Sequence, residues 1–295
     1  MPIWHGNCTT EGYMNKISNT SQLPHLTIKP SSGWSAINIK ELIQYRDLLL
    51  VFASRDVKLR YRQTMLGPIW IILQPLLGAG VLSFIFGGIA KLKAPGNFPF
   101  FLYVFSGQLA WSIFSGTVSK VSMSLVGNSH LVAKVYFPRL ILPFSTVFGV
   151  LIDFAAAGLI LPILWVIYHV TPGWPILLTP VWIILLGLMG MGIGLCASAV
   201  MVLYRDVTAV LNVVMGFLPY ISAVGFDIKD IPHSVKGLVL ANPIIGLLEG
   251  FRWSVVGLPI SGSSHLVYSV CFSLGMFVVG IFAFKRMERI FADVI

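Results

Sequence analysis

Five long uncharged stretches dominate the chain: residues 63–90, 94–119, 140–204, 207–226 and 253–284, the third broken only by Asp153. A helix rises about 1.5 Å per residue and needs about 20 apolar residues to cross a bilayer core. The third stretch is long enough for two such helices, and His169-Val-Thr-Pro-Gly-Trp-Pro175 supplies the turn between them. The pattern predicts six spans, at about 66–90, 98–122, 140–168, 176–203, 207–226 and 264–284. Ahead of the first span, residues 40–62 place Leu42, Tyr45, Leu49 and Phe52 at helical spacing. Arg55, Lys58, Arg60 and Arg62 crowd the end nearest the span. An apolar stripe with a cationic end reads as an amphipathic helix lying in the membrane interface.

Between the fifth and sixth spans, residues 237–248 are apolar, too short to cross, and interrupted by Asn242-Pro243. Such a run suits two short re-entrant helices within 228–258. The expected fold class is an all-α membrane protein with six transmembrane helices, an N-terminal interfacial helix and this re-entrant pair. Residues 34–295 form its single domain. Residues 1–33, rich in Ser, Thr, Asn and Pro, read as a flexible cytoplasmic tail without the apolar core of a signal peptide.

Composition supports this class. The chain has 295 residues, 56% hydrophobic and only 11% charged, with a mean hydropathy of +0.85. A soluble domain carries about 25% charged residues. Cys8, Cys196 and Cys271 make neither a metal-ligand spacing nor a disulfide framework, and no other metal-binding cluster stands out. The net charge of +9 is a topology signal, not a nucleic-acid footprint. Lys and Arg concentrate before the first span, at Lys120, Lys134 and Arg139, at Arg205, and at Lys285, Arg286 and Arg289. The opposite side has only Lys91, Lys93, Lys229, Lys236 and Arg252. Both termini are therefore expected in the cytoplasm.

Candidate chemistry is sparse. The sequence lacks GxxxxGK[ST], so ATP-driven work would need an ATPase on another chain. The basic, aromatic segment Asn128–Pro143 lies between two apolar runs, with Lys134 and Arg139 flanking Val135-Tyr136-Phe137-Pro138. Pro138 lacks a donor and disfavours helix in Phe137, so one element ends here and another begins. The cations of residues 55–62 either anchor their helix to anionic headgroups or meet an anionic group on a transported molecule. Tyr103 and Trp111 belong to a set of aromatics that either form an interfacial belt or stack on sugars in a channel. Asp153 is an acid inside a span, a functional candidate unless a partner in the bundle satisfies it. Gly190 and Gly194 have the spacing of close helix packing.

These motifs, taken in order, resemble the membrane subunits of type-2 ATP-binding-cassette exporters, in the branch that exports O-antigen, teichoic acid and capsular polysaccharide. The match covers roughly residues 40–290 and rests on several segments. They are Arg60-Tyr61-Arg62-Gln63-Thr64-Met65-Leu66-Gly67-Pro68-Ile69-Trp70 with Gln74-Pro75, and Ser106-Gly107-Gln108-Leu109-Ala110-Trp111 with Phe114. Lys134-Val-Tyr-Phe-Pro-Arg139, Tyr204-Arg205-Asp206-Val207, Asn242-Pro243 and Gly250-Phe251-Arg252-Trp253 complete the set.

The resemblance implies a homodimer in the bacterial inner membrane, working with two copies of an ATPase that carries the ATP and Mg. No cofactor is expected on this chain. It implies ATPase coupling through Asn128, His130, Lys134, Tyr136, Phe137, Arg139, Arg205 and Asp206, and an outer gate around Asn242, Pro243, Glu249 and Arg252. The implied cargo is a polysaccharide on a polyprenyl pyrophosphate, whose pyrophosphate would meet Arg55, Lys58, Arg60 and Arg62. Asp153 remains a weaker candidate for cargo contact. Other readings are an exporter of a drug or simple lipid, a membrane glycosyltransferase or lipid-modifying enzyme, and a passive channel. The enzyme reading lacks clustered acids, and a passive channel needs no docking loop. One departure stands out: the family often has Ser-Pro before the outer loop, where this chain has Ser222-Ala223.

Overall fold

The computed structural model describes residues 44–61, 69–134, 137–204, 206–260 and 262–288, and the regular secondary structure among these residues is all helical. Helix α1 spans Arg46–Tyr61, and α2 spans Ile69–Leu82 with a π-helical continuation Ser83–Ile89. Pro75 sits inside α2, where it removes one ladder donor. Next come α3 (Phe100–Met123), the short α4 (Ser129–Lys134), and α5 (Ile141–Gly158) with α6 (Ile160–Ile167) offset at Leu159. The remaining helices are α7 (Thr179–Leu203), α8 (Val207–Ile221), α9 (His233–Leu240), α10 (Ile244–Val256) and α11 (Ser263–Glu288).

Among the described residues, four segments are long and apolar enough to cross a membrane: Ile69–Ile89, Ile141–Ile167, Trp174–Leu203 and Ser263–Glu288. Their outward faces are apolar, with Phe84 and Val166 largely exposed, as lipid-facing surface must be. Helix α3 is as long but more polar, carrying Ser106, Gln108, Ser112, Ser115 and Ser119. Its position accounts for the difference. It is the core helix, with Leu102, Phe105, Leu109, Phe114 and Val118 fully buried against α7, α5, α2 and α10. A helix screened by its neighbours does not need lipid-grade side chains. Its hydroxyls turn back on its own carbonyls, as Ser106 does to Tyr103 at 2.8 Å and Ser112 to Leu109 at 2.7 Å.

Lipid is as apolar as a leucine side chain, so packing and hydrogen bonds hold these helices together. Alternate glycines of α7 serve two partners. Gly190 and Gly194 lie one turn apart and face α3: a Cβ on Gly190 would come 2.9 Å from the Phe114 carbonyl oxygen, and one on Gly194 would come 2.8 Å from Val121. Gly192 lies about 200° around the helix from Gly190 and meets the α11 backbone at Met276 and Gly280. The Ser273 hydroxyl seals that second contact by donating to the Leu185 carbonyl at 2.7 Å.

Gly192→Ala forces α7 and α11 apart and is expected to cost about 1–3 kcal/mol. Gly187 has nothing within 4 Å of an added Cβ, so Gly187→Ala should stabilise by roughly 0.5–1 kcal/mol through helix propensity. Thermal ramps of the two variants in detergent should therefore move in opposite directions.

Candidate functional site

Polar side chains gather at the two ends of α3. At its C-terminal end the chain leaves the helix, makes a 3₁₀ turn at Val126–Asn128 and forms α4. Both ends of this segment are fastened to α1. The Arg55 guanidinium donates to Asn128 Oδ1 at 2.6 Å and to Asp56 at 2.9 Å, and it lies over the Phe52 ring at 5.2 Å. Asn128 in turn donates to the Ser124 carbonyl at 2.9 Å. Phe52 and Phe137, both buried, pack with ring centroids 5.6 Å apart. Farther along, Arg139 donates to the Glu288 carbonyl at 2.8 Å, satisfying an acceptor at the end of α11. Lys120, one turn before the end of α3, reaches Asp153 on α5 at 2.7 Å. His130 and Lys134 on α4 stay exposed.

The sequence-predicted residues divide accordingly. Asn128, Phe137 and Arg55 come together. Arg55 is already engaged by Asp56 and Asn128, whereas Lys58 is exposed. Asp206 is exposed at the start of α8. The side chain of Arg60 lies outside the described residues, as do Arg62, Tyr136 and Arg205 entirely. Asp153 has a partner that sequence reasoning missed, because Lys120 had been counted only as a loop cation. A Lys within one helix's reach of a lone intramembrane acid was the signal.

At the other end of α3, Arg252 on α10 is 3% exposed. It donates to the Ala223 carbonyl at 2.9 Å, the Val224 carbonyl at 2.6 Å and the Tyr103 hydroxyl at 3.1 Å, and its guanidinium carbon lies 4.0 Å from the Tyr103 ring centroid. The Tyr103 hydroxyl donates onward to the Phe226 carbonyl at 2.8 Å. Gly107 has no side chain to obstruct the guanidinium. Arg252 also lines a small cavity of about 30 Å³ with Asp227, Lys229 and the half-buried Glu249. Tyr103 and Trp111 are both buried, Trp111 against Phe114 at 5.4 Å, and Tyr103 lines the same small cavity as Arg252.

The bend between α9 and α10 is held from three directions. His265 Nε2 lies 2.8 Å from the Leu240 carbonyl, and the Tyr268 hydroxyl donates to Ala241 at 3.0 Å. Asn242 donates to the Ser222 hydroxyl at 2.9 Å and accepts from the Ile244 amide at 3.1 Å, with Pro243 as the N-cap of α10. His265 and Tyr268 were not singled out from sequence, and Ser222 was noted only for its neighbour. A hydroxyl or imidazole contacting a distant carbonyl leaves no local pattern.

Ala223 has φ +54°, a left-handed conformation costing on the order of 1–3 kcal/mol for a residue with a side chain. Proline, locked near φ −65°, cannot adopt it. The Ser222-Ala223 departure is thus matched by a backbone that proline would forbid. Ala223→Pro should lower the melting temperature in detergent by several degrees, while Ala223→Gly should hold or raise it.

Residues 47–256 match the profile of the family described as ABC-2 type transporter. An O-antigen export system permease protein RfbA of Myxococcus xanthus is 30% identical over 216 residues, covering 72% of this chain and 82% of that protein. An RfbA of Klebsiella pneumoniae, with the same description, is 26% identical over 257 residues, covering 84% and 95%. The polysialic acid transport protein KpsM of Escherichia coli is 27% identical over 244 residues, covering 80% and 91%.

Proposed function

Because this chain belongs to the ABC-2 type transporter family, we propose that it is the permease subunit of an ATP-driven polysaccharide exporter in a bacterial inner membrane. The relatives' names support the cargo class. They cover O-antigen and polysialic acid, two different glycans moved by similar proteins. The cargo is proposed to travel on a polyprenyl pyrophosphate. The protein acts as a homodimer with two copies of a separate ATPase, which binds the ATP and Mg.

In this reading the chain crosses the bilayer six times. The four long apolar segments are joined by α3, screened in the core, and by α8. Helix α8 has 15 residues and, among them, no buried one, which suits a face completed by the second copy. Helices α9 and α10 form the re-entrant pair. All of α10 except Glu249 and Trp253 is buried, and its bend carbonyls are bonded by side chains, as irregular backbone at membrane depth requires. The Lys and Arg distribution puts the α4 end and both termini in the cytoplasm. A reporter fused after Ile295 should then be active only as a cytoplasmic fusion; activity restricted to the outer side would reverse the orientation.

The observation that carries the proposal is α4 itself, a short exposed basic element held to α1 at both ends by Arg55–Asn128 and Phe52–Phe137. An element with an exposed face and a rigid mount suits docking. ATP binding shifts the permease only through energy that differs between its two states, and α4 delivers that difference. Arg139 supports α4 through α11, and His130 and Lys134 present the contact. Since Arg55 is engaged within the protein, admission of the pyrophosphate falls mainly to Lys58, Arg60 and Arg62.

Charge reversal of the contact, His130→Glu with Lys134→Glu, should weaken retention of the ATPase by about tenfold, within the range for lost charge pairs at an interface. Co-purification from membranes measures it, with yield and elution profile of the permease unchanged. Full retention of the ATPase would remove α4 from the interface.

A further inference from the structure

We propose that the Lys120–Asp153 ion pair is a positioning contact that makes α3 and α5, the two helices flanking the docking segment, move as one lever. The proposal rests on the reading above that α4 docks the ATPase. Lys120 and Asp153 stand 33 positions apart, one on each side of the segment, with Nζ and Oδ2 at 2.7 Å. The other fastenings of the segment lead elsewhere: Arg55 and Phe52 tie it to α1, and Arg139 ties it to α11.

The packing between α3 and α5 explains why a polar bridge is needed here. Deeper in the bundle the two helices touch directly, at Gly116 against Val150. Beside that contact lies a cavity of about 370 Å³. Its described walls include Ser119, Lys120 and Met123 of α3, Thr146 and Asp153 of α5, and Asp56 of α1. Several polar groups on those walls are bonded within the protein: Asn128 to Arg55, Thr146 to the Pro143 carbonyl, Ser124 to the Val121 carbonyl and Asp56 to Arg55. The cavity therefore makes no unmet demand for a ligand. Its consequence is mechanical: side chains do not fill the space between α1, α3 and α5 there, and the ion pair on its wall ties α3 to α5.

The side chains of the pair are only 21% and 25% exposed. Charges at such depth cost more than an apolar pair of the same volume. What they add is a fixed direction and register between the two helices. Without the pair, displacement of α4 bends the end of α3 into the cavity and is not passed to the spans. ATP is then hydrolysed without export.

The test uses the whole permease–ATPase complex in phosphatidylethanolamine–phosphatidylglycerol proteoliposomes, with an undecaprenyl-pyrophosphate-linked oligosaccharide as cargo. The measured quantity is glycan translocated per ATP hydrolysed. Asp153→Asn should lower that ratio by about fivefold, with the ATPase still bound and active. The charge swap Lys120→Asp with Asp153→Lys should recover at least about half of the original ratio. Lys120→Met with Asp153→Leu, which removes both charges of the pair together, should assemble and remain uncoupled. An unchanged ratio in Asp153→Asn, normal coupling in the apolar pair, or a swap as poor as the single variant would each overturn the proposal. If Asp153→Asn does not assemble, the apolar pair decides. Failure of the docking reading shows separately, as an ATPase retained in full by the His130/Lys134 variant.

Discussion

Backbone that stops being helical inside a bilayer has no water to bond, so the protein must supply a partner for each carbonyl it frees. In the proposed topology the region from Ser222 to Pro243 falls under this constraint. The chain turns at Ala223 in a left-handed conformation, and two carbonyls there are taken up by Arg252. The guanidinium is suited to this because its rigid fork of donors reaches several acceptors at once. Its charge is also spread over the Tyr103 ring. His265 and Tyr268 perform the same service for Leu240 and Ala241. Without these side chains the buried position of α10 would carry a penalty of roughly 1–3 kcal/mol for every orphaned group.

Helix α3 connects this arrangement to the other end of the molecule. Tyr103 lies in its first turn and meets Arg252; Lys120 lies near its last and meets Asp153. Between them the helix is buried, and the glycines of α7 bring that helix to within backbone distance of it. A straight, close-packed rod with a polar contact at each end transmits displacement better than it absorbs it. The α7–α11 pair, in contact at Gly192 and Gly280, provides the frame against which the rod moves.

The apolar runs made most spans readable within a few residues. A helix within residues 40–62 was readable too, and its spacing places Phe52 on the buried side. The helix of the fifth apolar run ends at Ile221 and not near Phe226, because Ala223 takes a left-handed conformation that an alanine does not announce. Charge counting put Lys120 and Arg139 among loop cations, yet one joins two helices and the other satisfies a carbonyl of α11. Sequence shows the sign of a charge, while its partner depends on which helices pack together. Tyr103 and Trp111 illustrate the same gap: aromatic residues near a span's end look alike whether they face lipid, a channel or the core. Arg252 was singled out for an outer gate; its hold on Ala223 and Val224 needed the three-dimensional arrangement.

The bond from Arg139 to Glu288 has a practical side. It joins the residue that closes the basic segment to the last described turn of the final helix, 149 positions away in sequence. The end of that helix at Glu288 is therefore not an inert handle. A bulky tag, a tether or a protein fused close behind Glu288 pulls on the same carbonyl that steadies the segment. Two preparations of one permease, differing only in the tail they carry, would then differ in how firmly that segment is held.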